Sequence, residues 1–315
     1  MNETKATSPF PSYKVAAVQT NPVFGEKTLN LCASLQRVEE AAAQGAALIV
    51  LPELCNTGYA FSSREEAFAL AESVPGGEAV RAWAEAARRL GVHIAAGIAE
   101  REGADLYNSA VLIGPEGYIG TFRKLHLWDE EKLYFEAGNL GMPVFHTPIG
   151  RIGLLICFDV WFPELYRLAA MRGADIICAC ANWLPMKSQP ENFLTMGNIL
   201  AMGNAHCNGL NIICSARCGV ERGISFVGNS IIVGHRGWPL AGPASIDREE
   251  IIYAPINLRG TRLSRQWSPL NNILLDRRAD VYGLTPGAAE NPDGRLPAHR
   301  RAKETEGDSG CKSMD

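Results

Sequence analysis

Several features that mark particular classes of protein are missing from this chain of 315 residues. No run of about 18 apolar residues occurs, so no membrane-spanning helix is expected. The opening stretch, MNETKATSPFPSYK, is polar and lacks the apolar core of a secretory signal. The net charge of −4 gives no indication of a nucleic-acid or anionic-membrane partner. These absences predict a soluble cytoplasmic protein that binds neither nucleic acid nor membrane.

The nine cysteines follow none of the spacings that metal sites and disulfide frameworks require. Their number is odd, no CxxC pair occurs, and no Cys/His cluster has the spacing of a zinc site. Cys178 and Cys180 lie within an apolar run, where two such residues of a strand point to one face. We therefore expect most cysteines to be reduced core residues in a reducing compartment, with no metal and no cofactor.

Apolar runs and segments of helical periodicity alternate along the first half of the chain, which is typical of an α/β protein. Helical patterns cover about residues 27–44 and 76–91, and the run AALIVLPE at 46–53 predicts a buried strand. Two strand-like segments flank Gly-Pro-Glu-Gly at 114–117, which predicts a β-hairpin. The sheets are therefore expected to be mixed rather than purely parallel.

The second half repeats this order of strands and helices. Its predicted elements are a helix from about 163, a strand at 175–183, a helix over about 190–208 and a strand at 211–219. Two such halves predict two packed mixed sheets covered by helices, within a single domain at 13–284. Residues 1–12 are expected to be a flexible N-terminus, and the polar segment 285–315 is expected to be disordered or to wrap a partner.

Three residues that can act together in catalysis stand at the ends of apolar strands: Glu53, Lys124 and Cys157. Such strand ends are where α/β proteins build their sites. A thiolate is a good nucleophile, and a helix beginning within 158–163 is expected to lower the pKa of Cys157. The carboxylate can accept the thiol proton, and the ammonium can stabilise an oxyanion. The combination favours hydrolysis of a C–N bond without a metal or cofactor.

Each of these residues alone has an ordinary structural explanation. Glu53 can be a loop or helix-capping carboxylate, Lys124 a solvated lysine and Cys157 a small core residue. Separation along the chain does not show that the three meet in space. Only their joint occurrence in distinctive local sequences favours a common site.

Those local sequences resemble the nitrilase superfamily of carbon–nitrogen hydrolases over about residues 13–283. The matching segments are LPELCNTGY (51–59), YNSAVLIGPEGYIGTFRKLHLW (107–128), EKLYFEAGN (131–139), RIGLLICFDVWFPE (151–164) and CANWLP (180–185). The resemblance implies a four-layer αββα sandwich and a catalytic triad of Glu53, Lys124 and Cys157. It also implies homodimers, or larger assemblies built from them, that pair through helices beside the nucleophile.

Further site residues follow from the same resemblance. The second glutamate of the family falls on Glu131 in EKLYF, with Glu130 and Glu136 as near alternatives. Asn108 resembles a position that ties the hairpin together and is expected to be structural. The expected substrate-binding residues, whose aromatic members have core packing as the alternative role, are Tyr59, Phe158, Trp161, Asn182 and Trp183.

The residues after the cysteine bear on which C–N bond is cleaved. Nitrile-hydrolysing members tend to carry Trp-Glu or Gly-Glu there, whereas Phe158-Asp159 is similar to the amidase and carbamoylase branches. Branches with carboxylate-bearing substrates often place arginine where this chain has Val160 and Trp161. The resemblance therefore implies a small neutral carboxamide as substrate.

Other functions stay open at this point. Arg217 or Arg222 can still supply a carboxylate clamp if either reaches the site. The alternatives within the superfamily are an N-carbamoyl or ureido hydrolase and a nitrilase. A catalytically inactive small-molecule-binding protein of the same fold is the alternative from another class.

Overall fold

Continuous apolar stretches of the chain form the strands of two six-stranded sheets. The computed structural model describes residues 12–187, 190 and 194–279. Of these described residues, those up to Asp276 belong to one compact unit, and those from Arg277 onward belong to a second. The first strand begins at Ser12. The rest of the expected N-terminal segment and the whole expected tail at 285–315 lie outside the described residues.

The strands vary from two to ten residues. They are β1 (Ser12–Gln19), β2 (Ala46–Val50), β3 (His93–Glu102), β4 (Asp105–Gly114), β5 (Gly117–Arg123), β6 (Val144–Thr147), β7 (Gly150–Ile156), β8 (Ile176–Ala181), β9 (Asn211–Ala216), β10 (Cys218–Glu221), β11 (Ile224–Val227), β12 (Ile231–Val233), β13 (Pro239–Ala241), β14 (Glu250–Asn257), β15 (Gln266–Ser268) and β16 (Asn271–Asn272).

The helices flank these strands in sequence. They are α1 (Lys27–Ala43), α2 (Arg64–Leu70), α3 (Glu78–Leu90), α4 (Glu131–Tyr134), α5 (Pro163–Met171), α6 (Met196–Asn208) and α7 (Leu258–Leu263), with a 3₁₀ helix at Cys157–Trp161. Two of the long helices, α3 and α6, end at a glycine in the left-handed conformation, Gly91 and Gly209. Glycine adopts this conformation without the steric cost that a Cβ imposes. Among the described residues, no helix is long and apolar enough to cross a membrane.

Both large sheets combine parallel and antiparallel pairs, as expected. The first has the order β14-β1-β2-β3-β4-β5, and the second has the order β13-β12-β9-β8-β7-β6. The centre of each sheet is parallel, over β1-β2-β3 and β7-β8-β9. The hairpins β4-β5 and β6-β7 close one side of each. The late strand β14 returns to pair with β1, so an early and a late segment of the chain are joined in the first sheet.

Alternate strand residues enter two different hydrophobic cores. In β1, Val15 and Ala17 belong to the core that the two sheets share, whereas Ala16 and Val18 belong to the core beneath α1 and α3. Trp83 of α3 is fully buried in this outer core. Helices α5 and α6 supply buried residues on the other sheet. The resulting helix–sheet–sheet–helix layers are the predicted αββα sandwich, and strands covered on both faces explain the continuous apolar runs.

The longer predicted elements are confirmed in type, but the helix predicted over about 190–208 begins at Met196, with 191–193 outside the described residues, and the strand predicted at 211–219 ends at Ala216. The helical patterns at 27–44 and 76–91 are α1 and α3, and the segments around Gly-Pro-Glu-Gly form the β4-β5 hairpin. The sequence did not predict α2, α4 and α7 or the short strand pairs β10-β11 and β15-β16. These elements span two to seven residues, which is too short for periodicity to distinguish them from loops.

Candidate active site

Four polar residues that follow strands of both sheets form one cluster. Glu53 lies three residues beyond β2, and Lys124 directly follows β5 in the first sheet. Cys157 and Asn182 directly follow β7 and β8 in the second sheet. Asn182 Nδ2 donates to the Glu53 backbone oxygen at 3.2 Å, which joins the two groups. The cluster therefore lies where strand ends of the two sheets approach each other.

A glycine in the neighbouring strand determines where Glu53 lies. The loop that carries Glu53 crosses β3 at Gly97, where an added Cβ would come within 2.5 Å of Glu53 Cα and 2.6 Å of Leu54 N. Leu54 adopts a left-handed φ of 48°, which is uncommon for residues other than glycine. A side chain at position 97 would therefore displace the loop.

Lys124 joins two buried carboxylates. Its Nζ donates to Glu53 Oε1 and to Glu131 Oε1, each at 2.7 Å. Asn108 Nδ2 donates to the same Glu53 oxygen, also at 2.7 Å. Glu53 Oε2 has no hydrogen-bond partner among the residues that the structure describes. Because Glu53 is only 1% exposed, Oε2 is a buried acceptor left open, which native structures rarely keep without a reason.

Burial and contacts distinguish Glu131 from its two alternatives. Glu131 is buried and, besides the lysine, accepts a hydrogen bond from the Tyr59 hydroxyl at 2.8 Å. Burial raises the pKa of that phenol well above its usual value, and the charge of Glu131 adds to the increase, so the hydroxyl is protonated and donates. Glu130 and Glu136 are exposed, and neither contacts the lysine.

Cys157 sits at a sharp turn between a strand and a short helix. It has a left-handed φ of 43° and begins the 3₁₀ helix Cys157–Trp161. Its Sγ donates to the Asn182 backbone oxygen at 3.6 Å. Positive φ at a non-glycine residue costs on the order of 1–3 kcal/mol and persists where surrounding contacts enforce it.

Asp159 makes some of the contacts that hold Cys157 in this conformation. The fully buried carboxylate accepts hydrogen bonds from the backbone N–H groups of Ile156 and His126, at 3.3 and 3.0 Å. It also contacts His126 Nδ1 at 2.8 Å, and this ring stacks on Phe162 at a centroid distance of 3.4 Å. Asp159 therefore ties the turn of the nucleophile to the segment that follows Lys124.

The charges of the cluster change how its members hold protons. Burial raises the pKa of Glu53 to about 7, against the opposing charge of Lys124 and with a further increase from Glu131. For Lys124, burial lowers the pKa, but the charges of Glu131 and Glu53 outweigh it and raise the pKa above its usual value. Lys124 is therefore an ammonium, and Glu53 can exchange a proton near neutral pH.

The expectation that a helix lowers the pKa of Cys157 is wrong. Burial raises the pKa of this thiol well above its usual value, the charge of Glu53 raises it further, and Lys124 lowers it by less. The expected helix begins as a five-residue 3₁₀ turn, and its effect does not outweigh desolvation. The resting thiol is therefore protonated, and attack requires a base.

All five predicted substrate-binding residues line the cavity beside Cys157. Its walls are Tyr59, Trp128, Phe158, Trp161, Asn182, Trp183, Leu184 and Met186. The cavity holds about 30 Å³, room for roughly two waters. A second cavity of about 510 Å³ shares Tyr59, Trp128 and Leu184 with it. The small cavity fits a reacting group, and the larger one fits the remainder of a substrate.

Neither of the two arginines left open by the sequence is placed to clamp a substrate carboxylate. Arg217 is buried and donates to Glu221 at 2.6 Å and to Asn21 at 3.0 Å. Arg222 borders the larger cavity, but both of its terminal nitrogens donate to Glu66, at 2.8 and 2.7 Å. Because these donors are engaged, they give little net attraction to a carboxylate.

Two site residues were missed in the sequence. Asn108 was expected only to tie the hairpin, which its backbone oxygen does by accepting from Lys124 N at 2.8 Å, but its side chain also reaches Glu53. The available signal was an asparagine inside a largely apolar strand segment, and the structure shows this residue to be fully buried. Trp128 lines both cavities, and nothing in its local sequence separates it from a core residue.

The cluster offers the parts needed to cleave an acyl–nitrogen bond. It brings together a thiol that lines a small cavity, a carboxylate with one open oxygen and a pKa of about 7, and a buried ammonium. Among the described residues, no group of three or more His, Cys, Asp or Glu side chains is arranged to hold a metal ion.

Known proteins share this sequence and fold. The carbon–nitrogen hydrolase family model matches residues 14–266. A nitrilase from Pyrococcus abyssi is 42% identical over 85% of this chain and 98% of its own length. A crystal structure of a carbon–nitrogen hydrolase from Helicobacter pylori aligns with a TM-score of 0.78 at 30% identity, over 86% of this chain and 97% of that one.

A further solved structure carries a named activity. An amidase from Nesterenkonia sp. aligns with a TM-score of 0.69 at 26% identity, over 85% of this chain and 94% of its own. The family model covers most of the chain, and the relatives are matched over nearly their full length. The chain therefore belongs to the carbon–nitrogen hydrolases of the nitrilase superfamily, which hydrolyse C–N bonds other than peptide bonds.

Proposed function

We propose that this protein hydrolyses small neutral carboxamides to the carboxylic acid and ammonia, with Glu53, Lys124 and Cys157 as catalytic residues. The observation that carries the proposal is that the two oxygens of the Glu53 carboxylate differ in their hydrogen bonds. Oε1 is occupied by Lys124, while Oε2 has no partner among the described residues, and the charge of Glu53 acts on the Cys157 thiol. Such an oxygen can take a proton from a thiol whose pKa is raised.

Acylation follows from these positions. Glu53 Oε2 accepts the thiol proton as Cys157 Sγ forms a bond to the amide carbon. Lys124 Nζ and the Phe158 N–H, in the first turn of the 3₁₀ helix where N–H groups lack helical acceptors, stabilise the oxyanion. The C–N bond then breaks, and Glu53 returns its proton to the leaving nitrogen. Ammonia departs and leaves a thioester on Cys157.

Deacylation reverses the proton transfers with water as nucleophile. Glu53 accepts a proton from water, whose oxygen attacks the thioester carbon. Glu131 holds the Lys124 ammonium from the other side, at 2.7 Å, so that the lysine stays directed at the oxyanion. The C–S bond breaks, the sulfur regains its proton, and the carboxylic acid leaves. The sum is amide plus water to acid plus ammonia.

The charges around the cavities support a neutral substrate. The larger cavity carries the carboxylates of Asp129 and Glu130, and its arginine, Arg222, is already paired with Glu66. A substrate carboxylate placed there would meet like charge without a compensating cation. The wall of the small cavity is mostly aromatic, which suits an apolar acyl group.

We also propose that the protein forms homodimers through α5 and α6 in a reducing, cytoplasmic compartment. Leu168 and Met171 on α5 and Met196 and Ile199 on α6 are exposed large apolar residues, and burial of such a surface favours association. The eight described cysteines are all free thiols, as in cytosolic proteins. Sedimentation of the purified protein at several concentrations measures the association.

The test is ammonia release from a panel of amides, nitriles and N-carbamoyl compounds, followed by mass spectrometry of the trapped enzyme. We expect neutral carboxamides to be the best substrates, acidic amides the poorest, and the acyl group to be found on Cys157. Cys157→Ala should abolish turnover, whereas Cys32→Ala, which removes an exposed thiol, should not. Full activity in Cys157→Ala, or a preference for acidic or N-carbamoyl compounds, would contradict the proposal.

A further inference from the structure

A second unsatisfied acceptor lies beside the nucleophile, on Asn182. This residue is 2% exposed, and its Oδ1 has no hydrogen-bond partner among the described residues. Its Nδ2 is engaged with the Glu53 backbone oxygen. Since that carbonyl can only accept, the NH₂ side of the amide must face it. The free atom of Asn182 is therefore the oxygen, an acceptor.

The position of Asn182 brings this acceptor next to the reacting atoms. Its backbone oxygen receives the Cys157 thiol at 3.6 Å. Its side chain contacts the Glu53 backbone, and both Asn182 and Cys157 line the small cavity. Glu53 Oε2 and Asn108 Oδ1 are further open acceptors of this region, and Trp183 Nε1 is an open donor on a residue of the same cavity wall. Of these atoms, Asn182 Oδ1 and Glu53 Oε2 are the two buried acceptors on residues that contact each other beside the nucleophile.

The reaction itself indicates which substrate group could donate hydrogen bonds to Asn182 Oδ1 and Glu53 Oε2. The leaving nitrogen must lie within hydrogen-bond distance of Glu53 Oε2 to receive its proton. A carboxamide nitrogen carries two N–H groups, so one can face Glu53 while the other faces Asn182. A nitrile nitrogen and an ester oxygen carry none. A site with buried polar groups discriminates strongly against a substrate that leaves those groups unpaired.

We propose that Asn182 Oδ1, together with Glu53 Oε2, recognises the NH₂ group of the substrate and so selects primary carboxamides over nitriles and esters of the same acyl group. This inference rests on the proposed amide hydrolysis. It assigns Asn182 a role in specificity that is separate from nucleophilic attack, because acylation by an ester forms the same thioester without an N–H to recognise.

The test compares kcat/KM for a primary amide, its N-methyl amide, the ethyl ester and the nitrile of one acyl group. In the wild type we expect the primary amide to exceed the N-methyl amide, which retains only one N–H, and the nitrile. Asn182→Ala should lower kcat/KM for the primary amide about 10- to 100-fold and change the ester far less. Asn198→Ala is the matched control, because Asn198 is also buried with unpartnered amide atoms but does not line the cavity.

The outcomes separate this inference from the proposed function. If Asn182→Ala lowers amide and ester turnover equally, or if Asn198→Ala shifts the amide-to-ester ratio as much, the recognition role is overturned. A wild type that cleaves the nitrile or the N-methyl amide as well as the primary amide overturns it too, and this comparison does not depend on how the variant folds. A wild type that releases ammonia from no amide overturns the proposed function itself.

Discussion

Two buried ion clusters meet at the end of β5, and they differ in how completely their hydrogen bonds are satisfied. Arg123, the last residue of β5, donates to both oxygens of Glu100, at 2.5 and 3.0 Å, and Ser109 donates to one of them as well. Lys124, the next residue, contacts one oxygen of Glu53 and leaves the other without a described partner. Successive strand residues point to opposite faces, so neighbours enter different environments.

The difference in hydrogen bonding indicates a structural role for the Glu100 cluster and a proton-transfer role for the Glu53 cluster. Both oxygens of Glu100 have donors, so the burial of this carboxylate is compensated and it can stabilise the join between β3, β4 and β5. In the Glu53 cluster the burial is only partly compensated, which raises the pKa of Glu53 to about 7. A cluster that is incompletely satisfied is less favourable for stability, and that is the condition a proton-transfer site needs.

Replacing one carboxylate in each cluster should give the largest effects, on kcat/KM in one cluster and on the free energy of unfolding in the other. Glu53→Gln should lower kcat/KM by about 10²- to 10⁴-fold, because glutamine cannot accept the thiol proton. Its free energy of unfolding should change little, since the amide oxygen can still accept from Lys124 and Asn108. Glu100→Gln should lower the free energy of unfolding by about 3 kcal/mol, because the buried Arg123 guanidinium then keeps only the exposed carboxylate of Glu102 as a charge partner. Its kcat/KM should stay close to wild type.

Turnover assays and denaturant unfolding of both variants measure the contrast. The proposed difference between the clusters is contradicted if Glu100→Gln loses activity as severely as Glu53→Gln while still folded. The proposed difference is also contradicted if Glu53→Gln has the lower free energy of unfolding of the two variants.

A backbone change in the active cluster should have the next largest effect. Gly97→Ala places a methyl group within 2.5 Å of Glu53 Cα, so the loop must shift and carry the carboxylate with it. Misplacement of a catalytic group by about 1 Å can cost about 10²-fold in rate, so we expect a decrease in kcat of that order. Gly203→Ala is the control, because nothing lies within 4 Å of its added Cβ. Equal kcat in the two variants would show that the position of Glu53 is not critical.

The pH dependence should give the smallest but most specific effect. The acidic limb of kcat/KM should lie at about pH 7, because the pKa of Glu53 is raised to about 7 and only its ionised form accepts a proton. Activity is therefore lost as the pH falls through this value. Glu131→Gln removes a charge that raises the pKa of Glu53, so the limb should move to lower pH.

Glu130→Gln serves as the matched control, because Glu130 is adjacent in sequence but exposed. Its limb should coincide with that of the wild type in pH–rate profiles. A limb near pH 4.5, the ordinary value for a glutamate, would mean that Glu53 does not act as the base. A limb that moves equally in both variants would show only a general effect of net charge.

Much of the fold was available from the sequence because it depends on local patterns. The apolar run at 46–53 and the periodicity at 27–44 and 76–91 predicted β2, α1 and α3, since side-chain spacing along one segment determines which face it buries. The four-layer arrangement itself came from the family resemblance. Elements as short as α4 were missed, because four residues carry too little periodicity.

The sequence named residues that lie together in the structure, but it did not give their geometry. The motifs around Glu53, Lys124 and Cys157 named residues that the fold brings into one cluster, and all five expected pocket residues line the cavity. The choice of Glu131 over Glu130 and Glu136 required burial and a contact with Lys124. The contact of Asn108 with Glu53 joins side chains 55 positions apart, a distance over which sequence patterns carry no information on contact.

The sequence by itself determined which of the longer segments become strands and helices and which chemical groups stand at their ends, because these follow from the spacing of apolar and polar residues along one segment. Only the tertiary structure decided that Glu53 keeps one oxygen open and that the Cys157 thiol has a raised rather than a lowered pKa. Both properties depend on desolvation and on charges from distant segments, and these exist only once the two sheets have packed together.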